Sequence, residues 1–260
     1  MRKLFLAGAL LAFGAASAGA ATFSVSGLGA NGQTISATAE FTIVDGSLQI
    51  VLTNTAGAAA SSNANLLSAV FFNIANAGAV TAVGGNATSN GLLQSDGTVD
   101  PGAAEDLNDF WSFDTGASLG GNSYGFGLGG AGFGIFGGND TFTEWNGGSC
   151  GPGTACQGEP NGPPYLIAPN AGATVPASQF PLTNVFATFV LPITTGFDID
   201  DIQDVTLAWG TNPEYYGTDG GSEDGGGGLD GGTSPEPATL ALLGLALTVG
   251  AAQMRRRNRK

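Results

Sequence analysis

The chain has 260 residues, a formal net charge of −14 and no histidine, and its charges are sorted by sign along its length. All seven Lys and Arg lie at positions 2, 3, 255, 256, 257, 259 and 260, whereas all 21 Asp and Glu fall between Glu40 and Glu236. A body with neither cation nor imidazole has no Ser-His-Asp or Cys-His general base and no Schiff-base lysine, and it repels nucleic acid and anionic headgroups.

Charged residues make up only 11% of the chain, while 42% are hydrophobic and 16 are Phe. That composition describes a globular core rather than a disordered polyanion. With 45 glycines, the body reads as short strands joined by many turns. The expectation is an all-β fold over residues 22–210, an antiparallel β-sandwich of about 8–10 strands.

Residues 1–21 read as a secretory signal helix. Arg2 and Lys3 supply the positive n-region, residues 4–13 the short apolar h-region, and Ala16-Ser17-Ala18 or Ala18-Gly19-Ala20 the small-residue cleavage motif. Cleavage is expected after Ala20, with Ala18 and Ala21 the neighbouring choices.

The clearest local element is a hairpin. Ile35, Ala37, Ala39, Phe41 and Ile43 alternate with Ser36, Thr38, Glu40 and Thr42, the period of a half-buried strand. Asp45-Gly46 supplies a type I′ turn, and Leu48, Ile50 and Leu52 face the core on the return strand. Further strands are predicted at 22–26, 67–74, 79–83, 110–113, 124–128, 165–167, 185–191 and 205–209. The runs 66–74 and 185–191 are apolar enough for central positions. Asp100-Pro101 opens a single helical turn, Asp100 as N-cap and Pro101 at its first position.

Residues 116–138 are dense in glycine, interspersed with Phe126, Phe133, Ile135 and Phe136. No Lys-Ser/Thr follows to make a phosphate loop, so these glycines are read as points of close approach in strands. Asn86-Ala87-Thr88 and Asn139-Asp140-Thr141 fit the N-glycosylation pattern, at a frequency that chance supplies in a Thr- and Asn-rich chain. Cys150 and Cys156 are the two cysteines. In an oxidising compartment they are expected to form a disulfide that pins the Pro/Gly-rich loop 147–164, restraining the unfolded chain by about 2–3 kcal/mol.

With only carboxylates available, two chemistries survive. Asp198, Asp200, Asp201 and Asp204 precede the strand at 205. On an extended segment Asp198 and Asp200 would share a face, a candidate calcium site and the sole candidate cofactor position. Asp109, Asp114, Asp140 and Glu144 lie near Trp111 and Trp145, which suggests either a carboxylate pair for acid/base work or a sugar-stacking platform, with Trp209 a third aromatic. Against catalysis, no Lys or Arg is present to fix a substrate, and the body is read as non-enzymatic.

Residues 211–233 form a Gly/Asp-rich linker, flexible and self-repelling. Gly225–230 matches the opening of a calcium nonapeptide repeat once, without its bulky apolar residue. Three parts then follow without a gap. Pro235-Glu236-Pro237 is a stiff acidic tripeptide. Residues 238–253 are uncharged and rich in Ala, Leu, Gly and Val, spanning about 24 Å as a helix, and Met254 brings this single transmembrane helix nearer the bilayer's core of about 30 Å. Arg255, Arg256, Arg257, Arg259 and Lys260 make a basic tail that stays cytoplasmic, leaving the body outside.

This tripartite end resembles the PEP-CTERM sorting signal of exported proteins in exopolysaccharide-making Gram-negative bacteria. The resemblance implies recognition of Pro235, Glu236 and Pro237 by exosortase, an integral-membrane cysteine transpeptidase-like enzyme of the inner membrane. It also implies loss of residues 234–260 and transfer of the body to the cell surface or an exopolysaccharide matrix. A permanent membrane anchor is the plainer reading of the same residues. The functional expectation is a structural protein of the surface or biofilm matrix. A carbohydrate-binding module, a calcium-dependent adhesin and a carboxylate hydrolase rank behind it.

Overall fold

The structure, a computed structural model, describes residues 19–29, 31–76, 79–100, 106–108, 110–119, 122–130, 142–143, 149–150, 165–210 and 214–217. Residues 1–18, expected as a leader, residues 101–105, expected as a helical turn, Cys156, Trp145 and residues 218–260 lie outside them. Among the described residues no helix is long and apolar enough to cross a membrane.

The alternating N-terminal sequence forms a meander of β1 (Ala20–Leu28), β2 (Thr34–Val44) and β3 (Ser47–Asn54). Its second turn is Asp45-Gly46, with φ of 50° and 76°, the left-handed pair that a type I′ loop requires. A 3₁₀ turn at Asn63–Asn65 leads into β4 (Leu67–Ile74). Short pieces follow as β5 (Ala79–Val80), β6 (Asn86–Ser89), β7 (Leu92–Leu93) and β8 (Val99–Asp100). The aromatic segment gives β9 (Trp111–Thr115), β10 (Ser118–Leu119), β11 (Asn122–Ser123) and β12 (Phe126–Gly130). Next come β13 (Phe142–Thr143), β14 (Ser149–Cys150), β15 (Ile167–Ala168) and β16 (Leu182–Asn184). The chain closes with β17 (Phe186–Thr195), β18 (Ile202–Trp209) and β19 (Glu214–Gly217).

The described fold is all-β. Eight of these strands have five residues or more, and the rest are two- to four-residue rungs. Among the described strands pairing is antiparallel except that β15 runs parallel to β16, and an isolated parallel bridge joins Ala60 to Ala173. The first sheet has the order β1-β2-β3-β17-β5, with β6 also on β17. In the second, β4 is central, with β18 along one edge and β12 and β15 on the other. Both predicted central strands therefore hold central places.

The inward faces of both sheets contribute to one core. An aromatic path crosses it: Phe23 meets Phe41 edge-on at 5.6 Å, Phe41 meets Phe72 at 5.2 Å, and Phe72 stacks on Phe126 at 5.4 Å. Such pairs contribute about 0.5–1.5 kcal/mol each beyond the area they bury. The outer face of β4 is covered too. Ala69 and Phe71 pack with Ala208 under Ala117, Leu119 and Tyr124, which belong to the β10–β11 hairpin and its flanks. Burial on both faces is why β4 reads as a continuous apolar run.

Three of the boundaries that differ from the sequence expectation bear on the site. Val185 has φ of 63°, so it forms a corner and β17 starts at Phe186. In β18 an extra residue opposes β4 between Gln203 and Thr206, and Asp204 takes φ of 52° there. This bulge shifts the alternation, so that Ile202 and then Val205, Leu207 and Trp209 all reach the core. At the other end, β1 begins at Ala20 and Ala21 is buried, two residues that the sequence reading assigned to the leader.

Candidate functional site

The tryptophans are corrected first. Trp111 is fully buried, with its indole N–H donating to the carbonyl of Tyr165 at 3.2 Å and its ring 4.9 Å from that of Phe189. Trp209 is equally buried. The alternation of β9 turns Trp111 and Phe113 inward, so neither Trp111 nor Trp209 offers a face to a sugar. Trp145 lies outside the described residues, as do Asp109, Asp140 and Glu144. Of the carboxylates read as an acid/base set, only Asp114 is described. It sits in β9 with 8% of its surface exposed.

The acidic run is also rearranged. Residues Ile199–Asp201 form a 3₁₀ turn rather than an extended segment, which removes the shared face expected of Asp198 and Asp200. The carboxylate of Asp201 accepts the backbone N–H of Asp198 at 3.0 Å and the side-chain amide of Asn76. The carboxylate of Asp204 accepts Nδ2 of Asn73 at 2.8 Å. Two of the four acids thus tie the turn and the bulge to β4 and its exit. Among the described residues no group of three or more Asp, Glu, Cys or His is placed to hold a metal ion.

Cys150 stands in β14 opposite Phe142, and its expected partner Cys156 lies outside the described residues. Asn86 of the first glycosylation pattern is exposed on β6, and Thr88 bridges to Asp106. Pro235-Glu236-Pro237, expected as a sorting motif, and the basic tail likewise fall outside.

A surface that the sequence reading passed over is the outer face of the first sheet. Its strands turn Thr22, Ser24 and Ser26 outward from β1, while Ala21, Phe23 and Val25 point in. Across the sheet the register lines up Thr22, Glu40, Val51, Thr188 and Thr88 in one rank. Ser24, Thr38, Thr53 and Phe186 form the next. Neighbouring strands stand about 4.8 Å apart and successive outward residues about 6.8 Å apart. Hydroxyls therefore recur on a two-dimensional spacing, with Glu40 the one charge in these ranks. Every hydroxyl both donates and accepts, so these ranks offer donors and acceptors together without a cationic group. The signal was present in the outward Ser/Thr of the alternating strands. Only the sheet order brings them together.

No protein-family model, no characterised protein sequence and no solved structure matches the chain.

Proposed function

We propose that this is an exported β-sandwich protein of the bacterial cell surface or extracellular matrix. It is sorted through its C-terminal PEP-CTERM-like signal, released by exosortase, and structural rather than catalytic. The observation that carries the reading is the confinement of every Lys and Arg to the two ends, around an acidic body. Cations at those ends orient a leader and a membrane span, and the body needs none for its own cohesion. Its stability comes from the aromatic core and strand ladders, with no ion pair among the described residues.

The test is expression in a Gram-negative host with and without an exosortase. The intact chain should lose its tail and leave the inner membrane only when the enzyme is present. Replacement of Pro235, Glu236 and Pro237 by Ala should leave it anchored with the body in the periplasm. Recovery of the unprocessed chain from the cytosol sinks the reading.

The second reading, carbohydrate binding, moves from the buried tryptophans to the hydroxyl ranks of the first sheet. Co-sedimentation with an insoluble uncharged polysaccharide tests it. Thr38→Glu and Thr188→Glu should each weaken binding at least about tenfold, the cost of roughly 1.4 kcal/mol, while leaving the urea midpoint in place. Equal binding by wild type and both variants removes this reading and leaves the sorting proposal untouched.

A further inference from the structure

We infer that the leader is cut between Ala18 and Gly19, so that the mature chain begins at Gly19. This rests on the export reading and goes beyond it by naming the bond. The sequence offers two overlapping small-residue motifs, one ending at Ala18 and one at Ala20, and the expectation from pattern alone is a cut after Ala20.

The fold separates them. Gly19 is exposed, as is Ala20, yet its backbone runs close beside the body, since a Cβ at that position would stand 2.8 Å from Cγ2 of Ile199. Ala20 pairs with Thr42 and Ala21 with Phe41 in the β1–β2 ladder, and Ala21 is only 3% exposed. A cut after Ala20 would discard the Ile199 contact and the terminal rung of β1. A cut after Ala18 keeps both and leaves a strand complete to its end. Hydrolysis adds one water across the bond: Ala18 departs with a carboxylate and Gly19 gains an ammonium group. Once both ends are processed, that ammonium is the single formal cation of a chain without Lys, Arg or His. It lies at the turn Ile199–Asp201, which also carries Asp200.

The experiment is secretion of the full chain from a Gram-negative host, followed by labelling with an amine-reactive ester. Trypsin has no site between Lys3 and Arg255, so the labelled protein is cut with a glutamate-specific protease, whose first product ends at Glu40. The expected product is a labelled peptide running from Gly19 to Glu40. A labelled peptide starting at Ala21, or at any residue beyond Gly19, overturns the assignment and leaves export intact. A chain starting at Met1 with label on Lys3 overturns the export reading as well.

Discussion

The side chain of Asn54 donates through Nδ2 to the carbonyl of Ile167 at 2.9 Å, joining the last residue of β3 in the first sheet to β15 in the second. The same nitrogen donates to the carbonyl of Asn65 at 3.1 Å, and Oδ1 accepts the N–H of Ala56 at 3.2 Å. With 1% of its surface exposed, this amide is a buried polar tie between the sheets. Its partners are backbone groups that have no route to water when it is removed.

Asn54→Ala should therefore destabilise the body by about 2–4 kcal/mol, because buried acceptors left unpaired carry their full desolvation cost. Urea unfolding measures it. Asn54→Asp should be worse at neutral pH, since an ionised carboxylate has no donor for either carbonyl. Burial raises the folded-state pKa of such an Asp above its unfolded value of about 3.9. The neutral acid is then the form that folding favours, and stability should recover as pH falls from 7 toward 4. An Asn54→Asp midpoint that does not rise on acidification would contradict this account of the site.

Gly127 faces the outer layer of the second sheet, where an added Cβ would lie 2.9 Å from Cβ of Ala117 and 3.1 Å from the ring of Phe71. Gly127→Ala should force the β10–β11 hairpin outward and cost about 1–3 kcal/mol. Near-ultraviolet dichroism should register the change through Tyr124, which packs at 5.4 Å from Phe71 and shares a 3.0 Å hydrogen bond with Thr206. Gly46→Ala is the control. Its site is open but has φ of 76°, so it should cost about 1 kcal/mol of backbone strain and leave the Tyr124 signal unchanged.

What could be read from sequence was whatever local period encodes. The β2–β3 hairpin, its Asp45-Gly46 turn and the central runs at β4 and β17 all follow from alternation or continuous apolarity over a few residues. Sheet order does not, because β17 pairs with β3 across most of the chain, and no local pattern states that choice. The same blindness hid the hydroxyl ranks, which exist only once β1, β2, β3, β17 and β6 lie side by side. Trp111 was misread because an aromatic near carboxylates looks alike in a core and in a sugar site. Its partners, Tyr165 and Phe189, come from distant segments. The acidic run was misread because residues Ile199–Asp201 close into a 3₁₀ turn instead of continuing extended, and one left-handed residue, Asp204, then resets the period of β18.

That bulge gives a third prediction. Asn73 ties it down on two sides, donating to Asp204 at 2.8 Å and accepting the N–H of Gly125 at 2.6 Å. Asn73→Ala should lower stability by about 1–2 kcal/mol. Asp204→Gly loses the same side-chain bond but relieves a left-handed backbone, so it should cost less. Since the carboxylates of Asp201 and Asp204 hold amides, millimolar calcium or a chelator should leave the melting temperature of the wild-type body where it is. An upward shift of several degrees with calcium would restore the metal reading.

The last prediction concerns the turn between β7 and β8. Asp96 accepts the hydroxyl of Thr98 at 2.6 Å and the backbone N–H of Thr98 at 2.9 Å. The hydroxyl bond first, and the backbone bond second, hold the Asp96 carboxyl below its ordinary value. A depressed folded-state pKa means that the ionised form favours the folded turn. Its contribution is fully present above the unfolded pKa of about 3.9 and is lost as pH falls through the lower folded value. Carbon-detected NMR titration of the side-chain carboxyl should place Asp96 below the usual Asp range, and Thr98→Val should move it back up. Because Asp96 is fully exposed, the effect belongs to the turn. Acid should fray the β7–β8 rungs, Leu92 with Asp100 and Leu93 with Val99, before it touches the aromatic core. Simultaneous loss of both would show that the turn and core unfold as one unit.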